Sequence, residues 1–293
     1  MRLIQLSDIH VWRWARRPSQ FFSKRSLGLL ELATGRASRF RLERLDAVIE
    51  RVRGLDADHL LVTGDLTTTA LPSEFRAARE ALDPLLGDAA RATIIPGNHD
   101  RYTTGSVRRR EFEATFGMFA PRLDYPWLRE IGEGTAILGL DPTRSHLNAR
   151  GYLPDAQLDE ARSLFAELST RPRRLIVACH YPLVAPPPYE SQLRAKKLAN
   201  DAGLYEWVST LGPHLYCCGH VHAAWAFVPP GLPRELCINS GAPLLRDPTG
   251  LNLPGFMQID LDGDGVIATH HAWDGSGWLT VPKFAHPGLF GPG

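Results

Sequence analysis

Five apolar runs in this chain each stop at residues able to hold a cation or move a proton, and no other feature constrains the fold as much. Residues 2–7 lead into Asp8 and His10, 59–63 into Gly64 and Asp65, and 92–95 into Gly97, Asn98, His99 and Asp100. Residues 174–179 lead into His180, and 214–218 into Gly219, His220 and His222. Short apolar runs closed by Gly or Pro read as buried strands. Strands of one sheet end along a common edge, so endings of this kind can deliver their side chains to a single crevice. A lone Gly-Asp is an ordinary turn and a lone His an ordinary core residue; five such endings in one chain point to one site.

The residue types narrow the chemistry. Asp8 and His10 lie two apart in an extended segment and so share a face. Two carboxylates (Asp8, Asp65), one amide (Asn98) and four imidazoles (His10, His180, His220, His222) form a donor set suited to Mn, Fe, Zn or Co rather than to Ca or Mg. Seven donors exceed what one open catalytic ion takes; they suit two ions that share a carboxylate. His99 can move a proton near neutral pH, and Asp100 beside it can hold the imidazole in one orientation.

Between the runs, helical spacing predicts helices over about 40–53, 72–86, 108–116, 155–168 and 192–211, and a further strand over 135–140. Short strands are expected at 225–228, 236–239, 256–261, 266–272 and 278–281, with a tight turn at Asp262-Gly263. No linker splits the chain, so residues 1–285 are expected to form one domain, with 286–293 a loose tail. Residues 11–38 interrupt the path from the first strand to the first helix as a basic, aromatic insertion. From Trp12 to Arg41 eight Arg and Lys face the single acid Glu31, a local excess of +7 in a chain whose net charge is +1. That overall balance disfavours nucleic acid as a partner, while basic residues mixed with Trp, Phe and Leu suit an anionic membrane surface. Four cysteines in apolar runs, without a C-x-x-C pair, read as buried reduced thiols. With residue 8 already functional there is nothing to cleave as a leader, so the expected location is cytoplasmic, with the insertion able to rest on the inner membrane surface.

Asp8-x-His10, Gly64-Asp65, Gly97-Asn98-His99-Asp100, His180 and Gly219-His220-x-His222 together resemble the five motifs of the calcineurin-like metallophosphoesterases, in order and over most of the chain. The resemblance implies an α/β fold: a four-layer α-β-β-α sandwich of two mixed sheets flanked by helices. It implies two divalent transition-metal ions, with Mn favoured. Asp8, His10 and His222 would hold the first, Asn98, His180 and His220 the second, and Asp65 would bridge them. His99 matches the family's proton donor to the leaving group, with Asp100 as its partner. The implied reaction is hydrolysis of a phosphodiester or pyrophosphate bond by a hydroxide held between the ions.

Length and the Gly-Asn-His-Asp form resemble the bacterial class III phosphodiesterases most. The insertion beside the first ligands suggests an alternative, a membrane-associated hydrolase of the UDP-2,3-diacylglucosamine pyrophosphate of lipid A synthesis, although the better-known enzymes of that kind carry Arg where this chain has His99. A different class of reading is a non-catalytic metal-binding scaffold on the same fold. The intact His99-Asp100 pair argues against it. His146, Asn148 and Arg101 are further residues that could meet substrate.

Overall fold

The computed structural model describes residues 1–15, 26, 41–146 and 148–291. Most of the basic insertion therefore lies outside the described residues, and so does the proposal that it meets a membrane.

Two six-stranded mixed sheets stack face to face. The first has the order β12-β11-β10-β1-β2-β3, formed by β1 (Arg2–Leu6), β2 (His59–Val62), β3 (Ala92–Ile94), β10 (Gly255–Asp262), β11 (Gly265–Trp273) and β12 (Trp278–His286). The second runs β4-β5-β6-β7-β9-β8, from β4 (Trp127–Gly132), β5 (Thr135–Leu140), β6 (Arg174–Cys179), β7 (His214–Cys218), β8 (Ala224–Phe227) and β9 (Glu235–Ser240). β1, β2 and β3 are parallel, as are β5, β6, β7 and β9, while the outer strands pair antiparallel.

The two-residue period of a strand sorts these side chains into layers. In β6, Leu175, Val177 and Cys179 pack under helices, while Ile176 and Ala178 face the other sheet. In β2, Leu60 and Val62 face helices and Leu61 faces the second sheet. Buried on both faces, such strands read as unbroken apolar runs. Helices α1 (Leu45–Arg53), α2 (Pro72–Leu82), α3 (Thr104–Arg108) and α4 (Glu111–Phe116) lie with the first sheet, where Val48, Phe75, Phe112 and Phe116 enter the core. Helices α5 (Asp155–Ala166), α6 (Glu190–Lys196) and α7 (Asp201–Val208) cover the second sheet through Leu158, Phe165, Leu193 and Trp207. The layers are those that the motifs imply.

Four expectations need correction. The helix expected over 192–211 is two helices. The chain extends at Lys197, buries Leu198, and fastens Asn200 to both the N–H and the C=O of Leu153, at 3.0 and 2.6 Å. The helix expected over 108–116 breaks at Arg110, which adopts a left-handed backbone (φ 51°). β4 was not anticipated: its exposed and half-buried side chains at a sheet edge leave only Trp127 buried. Within the tail expected at 286–293, the described residues 286–291 are held against the fold. β12 continues to His286, Leu289 and Phe290 are buried, and the Phe290 N–H donates to the Asp264 carbonyl at 2.9 Å. All four cysteines are buried and none is in a disulfide.

Candidate metal centre

The expected residues meet where the C-terminal ends of β1, β2 and β3 face those of β6 and β7. Beyond the strand ends the backbone pairing of β1 and β2 continues, through Asp8 N to Gly64 O, His10 N to Asp65 O and Val11 N to Leu66 O at 2.8–3.0 Å. The two sheets are stitched directly beneath, where Gln5 Nε2 (2.8 Å) and Thr63 Oγ1 (3.3 Å) both donate to the Cys218 carbonyl.

Two groups of ligand atoms result, Asp8, His10, Asp65 and His222 in one and Asp65, His180 and His220 in the other, each within 4.8 Å. Asp65 belongs to both. Its Oδ2 lies 3.7 Å from His10 Nε2 and 3.3 Å from His180 Nε2, is buried, and takes no hydrogen bond of good geometry among the described residues. His10 Nε2 and His222 Nε2 are 3.2 Å apart, and His222 Nε2 is 3.2 Å from Asp8 Oδ1. Asn98 Oδ1 sits 3.2 Å from His180 Nε2, at the edge of the second group. Ring tautomers follow from carbonyl partners, which can only accept. His180 donates Nδ1–H to Thr63 O at 2.7 Å, which leaves Nε2 as the ring nitrogen turned toward Asp65 and Asn98. His220 donates Nε2–H to Lys196 O at 3.1 Å, leaving Nδ1 with the lone pair. The helix break after Lys196 is what frees that carbonyl.

The charges fit a cation. Burial alone would raise the Asp8 and Asp65 carboxyls. The imidazoles of His222 and His10 around Asp8, and of His180 and His99 around Asp65, outweigh it and hold both well below the usual carboxylate range. His180 is lowered by burial but raised more by Asp65, to about 9, whereas burial and neighbouring His180 push His220 well down. Among the described residues neither buried carboxylate has a Lys or Arg partner; His180, raised to about 9, is the cationic neighbour of Asp65, a role that divalent ions would take over.

The backbone is strained here as well. Asp8, His10, Asp65, His220 and His222 all have φ between 52° and 72°, and they make up five of the nine described non-glycine residues with positive φ. Such conformations cost about 1–3 kcal/mol each and persist where the surroundings hold them. Gly97 is part of that surrounding: a Cβ there would lie 2.2 Å from Asp65 Oδ1 and 2.3 Å from Asp65 N. We expect Gly97→Ala to lower stability by about 1–3 kcal/mol and to weaken metal retention, read as the denaturant midpoint and the metal content after dialysis. An unchanged midpoint with full metal would show that Asp65 does not depend on this close approach.

His99 lies beside the first group, its ring edge-on to His10 (centroids 4.8 Å) and stacked on Tyr102 (5.4 Å). Its N–H donates to Asp65 Oδ1 at 2.7 Å, and its Nδ1–H donates to the Thr68 carbonyl at 2.6 Å. The group orienting the imidazole is therefore Thr68 and not, as expected, Asp100. Asp100 turns to the backbone, accepting from Gly97 N (2.9 Å), Leu66 N (3.3 Å), Thr67 N (2.9 Å) and Thr67 Oγ1 (3.0 Å). Burial and neighbouring Asp65 raise its carboxyl to about 6. Arg101 is also placed differently from expectation, in a buried ion pair with Glu113 (2.7 Å) and Asp141 (3.0 Å). His146 and Asn148 lie on an exposed loop, 3.2 Å from each other.

A sequence model of the calcineurin-like phosphoesterases matches residues 1–224, more than half of the chain. The chain belongs to the calcineurin-like phosphoesterase family. Among solved structures, a dimetal phosphatase from Danio rerio is similar to this family member at a TM-score of 0.59 and 12% identity, with 97% of this chain and 99% of that one covered. A purple acid phosphatase from yellow lupin (Lupinus luteus) is similar at a TM-score of 0.62 and 14% identity, covering 97% of this chain and 53% of that one. At such identities these likenesses speak for the fold. No curated protein gives a match. Among the described residues of this phosphoesterase no helix is long and apolar enough to cross a membrane.

Proposed function

We propose that this chain is a dinuclear metal-dependent hydrolase of phosphodiester or pyrophosphate bonds. The observation that carries this reading is Asp65, a buried carboxylate shared by two groups of ligand atoms, with one oxygen held by His99 N and the other facing His10 and His180 without a good hydrogen bond. In this reading Asp8, His10 and His222 hold one ion, Asn98, His180 and His220 the other, and Asp65 both. Mn, Fe, Zn and Co all suit these donors, with Mn favoured. When bound, two such ions supply Lewis-acid charge stabilisation of the phosphate and an activated water.

The chain's own residues do the rest. The Thr63 and Lys196 carbonyls fix which nitrogens of His180 and His220 carry lone pairs. The Thr68 carbonyl holds the Nδ1 proton of His99, so Nε2 is the atom that delivers a proton to the departing oxygen. The stack on Tyr102 and the edge contact with His10 hold the plane of the ring. Family membership favours a phosphate ester as substrate. A diester or pyrophosphate agrees with the resemblance of the Gly-Asn-His-Asp motif to the bacterial phosphodiesterases.

The test is hydrolysis of bis(4-nitrophenyl) phosphate by protein reconstituted with Mn, beside a chelated control. Turnover that disappears on chelation and returns with Mn supports the reading. Two bound ions per chain with no turnover of this diester, a mononucleotide cyclic diester or a nucleoside diphosphate ester would favour the scaffold reading instead.

A further inference from the structure

We propose that Thr68 is the positioning residue that ties the proton donor to the metal-binding segment; this rests on the reading of His99 as the acid. Thr68 is nearly fully buried and touches both partners through different atoms. Its carbonyl accepts the Nδ1–H of His99 at 2.6 Å. Its Oγ1–H donates to the carbonyl of His10 at 3.0 Å, with the Val11 carbonyl next nearest at 3.3 Å. One residue therefore fixes the distance between the donor's ring and the backbone of a ligand histidine, and the two rings meet edge-on at 4.8 Å.

The loop around Thr68 is built to hold it there. On one side, Thr67 bridges to Val11 in parallel β fashion and donates through both N and Oγ1 to Asp100. On the other side, Glu74 of α2 accepts from Thr69 N at 2.8 Å and Leu71 N at 3.0 Å. Thr68 thus sits between two buried carboxylates that clamp the backbone before and after it. A carbonyl cannot be removed by substitution, but its position can be released, because the hydroxyl is the direct side-chain tether to residues 10 and 11.

A positional role predicts a particular signature. Protonation of the leaving oxygen matters for a basic leaving group and little for a weakly basic one such as 4-nitrophenolate. Thr68→Val keeps the shape of the side chain and deletes the hydroxyl. We expect it to raise the ratio of kcat/KM for bis(4-nitrophenyl) phosphate to that for diphenyl phosphate by about 10-fold, a fraction of the ~10²–10⁴ that a full general acid contributes. Bound metal should stay at the unmodified level. Thr68→Ser, which retains the hydroxyl, should return the ratio to that of the unmodified protein, and Thr68→Ala should repeat the Val result if the β-branched variant folds poorly.

His99→Ala run in parallel separates the two levels of inference. A raised ratio in His99→Ala with an unchanged ratio in Thr68→Val and Thr68→Ala overturns the tether and leaves the acid in place. An unchanged ratio in His99→Ala overturns the acid reading and the Thr68 proposal with it. Equal losses on both substrates in Thr68→Val, or losses that track lost metal, show a structural role only and overturn the proposal as well.

Discussion

Asp65→Asn is expected to lower turnover of an aryl phosphate diester by about 10³-fold or more and to leave the protein unable to hold two ions. The amide keeps one oxygen, so the bond from His99 N to Oδ1 (2.7 Å) can survive, and the loop conformation with it. What is lost is the second oxygen and the negative charge, the elements that belong to both ligand groups. In the metal-free protein the same change removes the partner that raises His180 to about 9, so that ring gives up its proton nearer to neutral pH. Metal analysis after dialysis and kcat/KM under Mn saturation make the check together. Full retention of two ions with unchanged turnover would mean that the bridge is made by some other group. Loss of folding in the absence of metal would show instead that the Asp65–His180 pair is needed for the apo structure.

How far the sequence foretold this arrangement depends on what each signal encodes. The strands that end at the site were readable because both of their faces are buried, and double burial writes an unbroken apolar run. The residues gathered here were readable because side chains able to hold a cation have distinctive types and stand at those strand ends. β4 escaped because an edge strand has fewer buried positions, and Trp127 alone does not make a pattern. The break between α6 and α7 escaped because helical spacing tolerates a pause; only the Asn200-Asp201 pair hinted at a new start, and the reason for the pause, the Lys196 carbonyl on His220, is tertiary. Asp100 was assigned to the neighbouring imidazole because adjacency in sequence suggests contact. In a turn that begins at a glycine, consecutive side chains diverge, and the short carboxylate reaches the N–H groups of residues 66, 67 and 97. The orienting group itself is a backbone carbonyl, which leaves no trace in residue type. Its one sequence mark is the run Thr67-Thr68-Thr69, β-branched residues where a loop ordinarily has turn formers.

His99→Ala is expected to cost about 10²–10⁴-fold in kcat on a diester with a basic leaving group, and much less when the leaving group is 4-nitrophenolate. The geometry gives the reason. With Nδ1–H committed to Thr68 O, the imidazole has a single nitrogen, Nε2, to carry a proton to substrate, and its plane is set by Tyr102 on one side and His10 on another. Removing the ring leaves the backbone N–H of residue 99 on Asp65, so the ligand groups stay assembled and the loss falls on proton delivery. His99→Gln is a useful companion, because an amide can donate a hydrogen bond but cannot release a proton. A variant that stabilises the leaving oxygen by hydrogen bonding alone should recover part of the loss relative to alanine, and the fraction recovered separates electrostatic support from proton transfer. The pH profile supplies the sign. A group that acts as an acid loses function as pH rises through its pKa, so the alkaline limb of kcat for the basic leaving group should vanish in His99→Ala and in His99→Gln. Persistence of that limb in both variants would assign the proton to another donor and return His99 to the role of an electrostatic neighbour of Asp65.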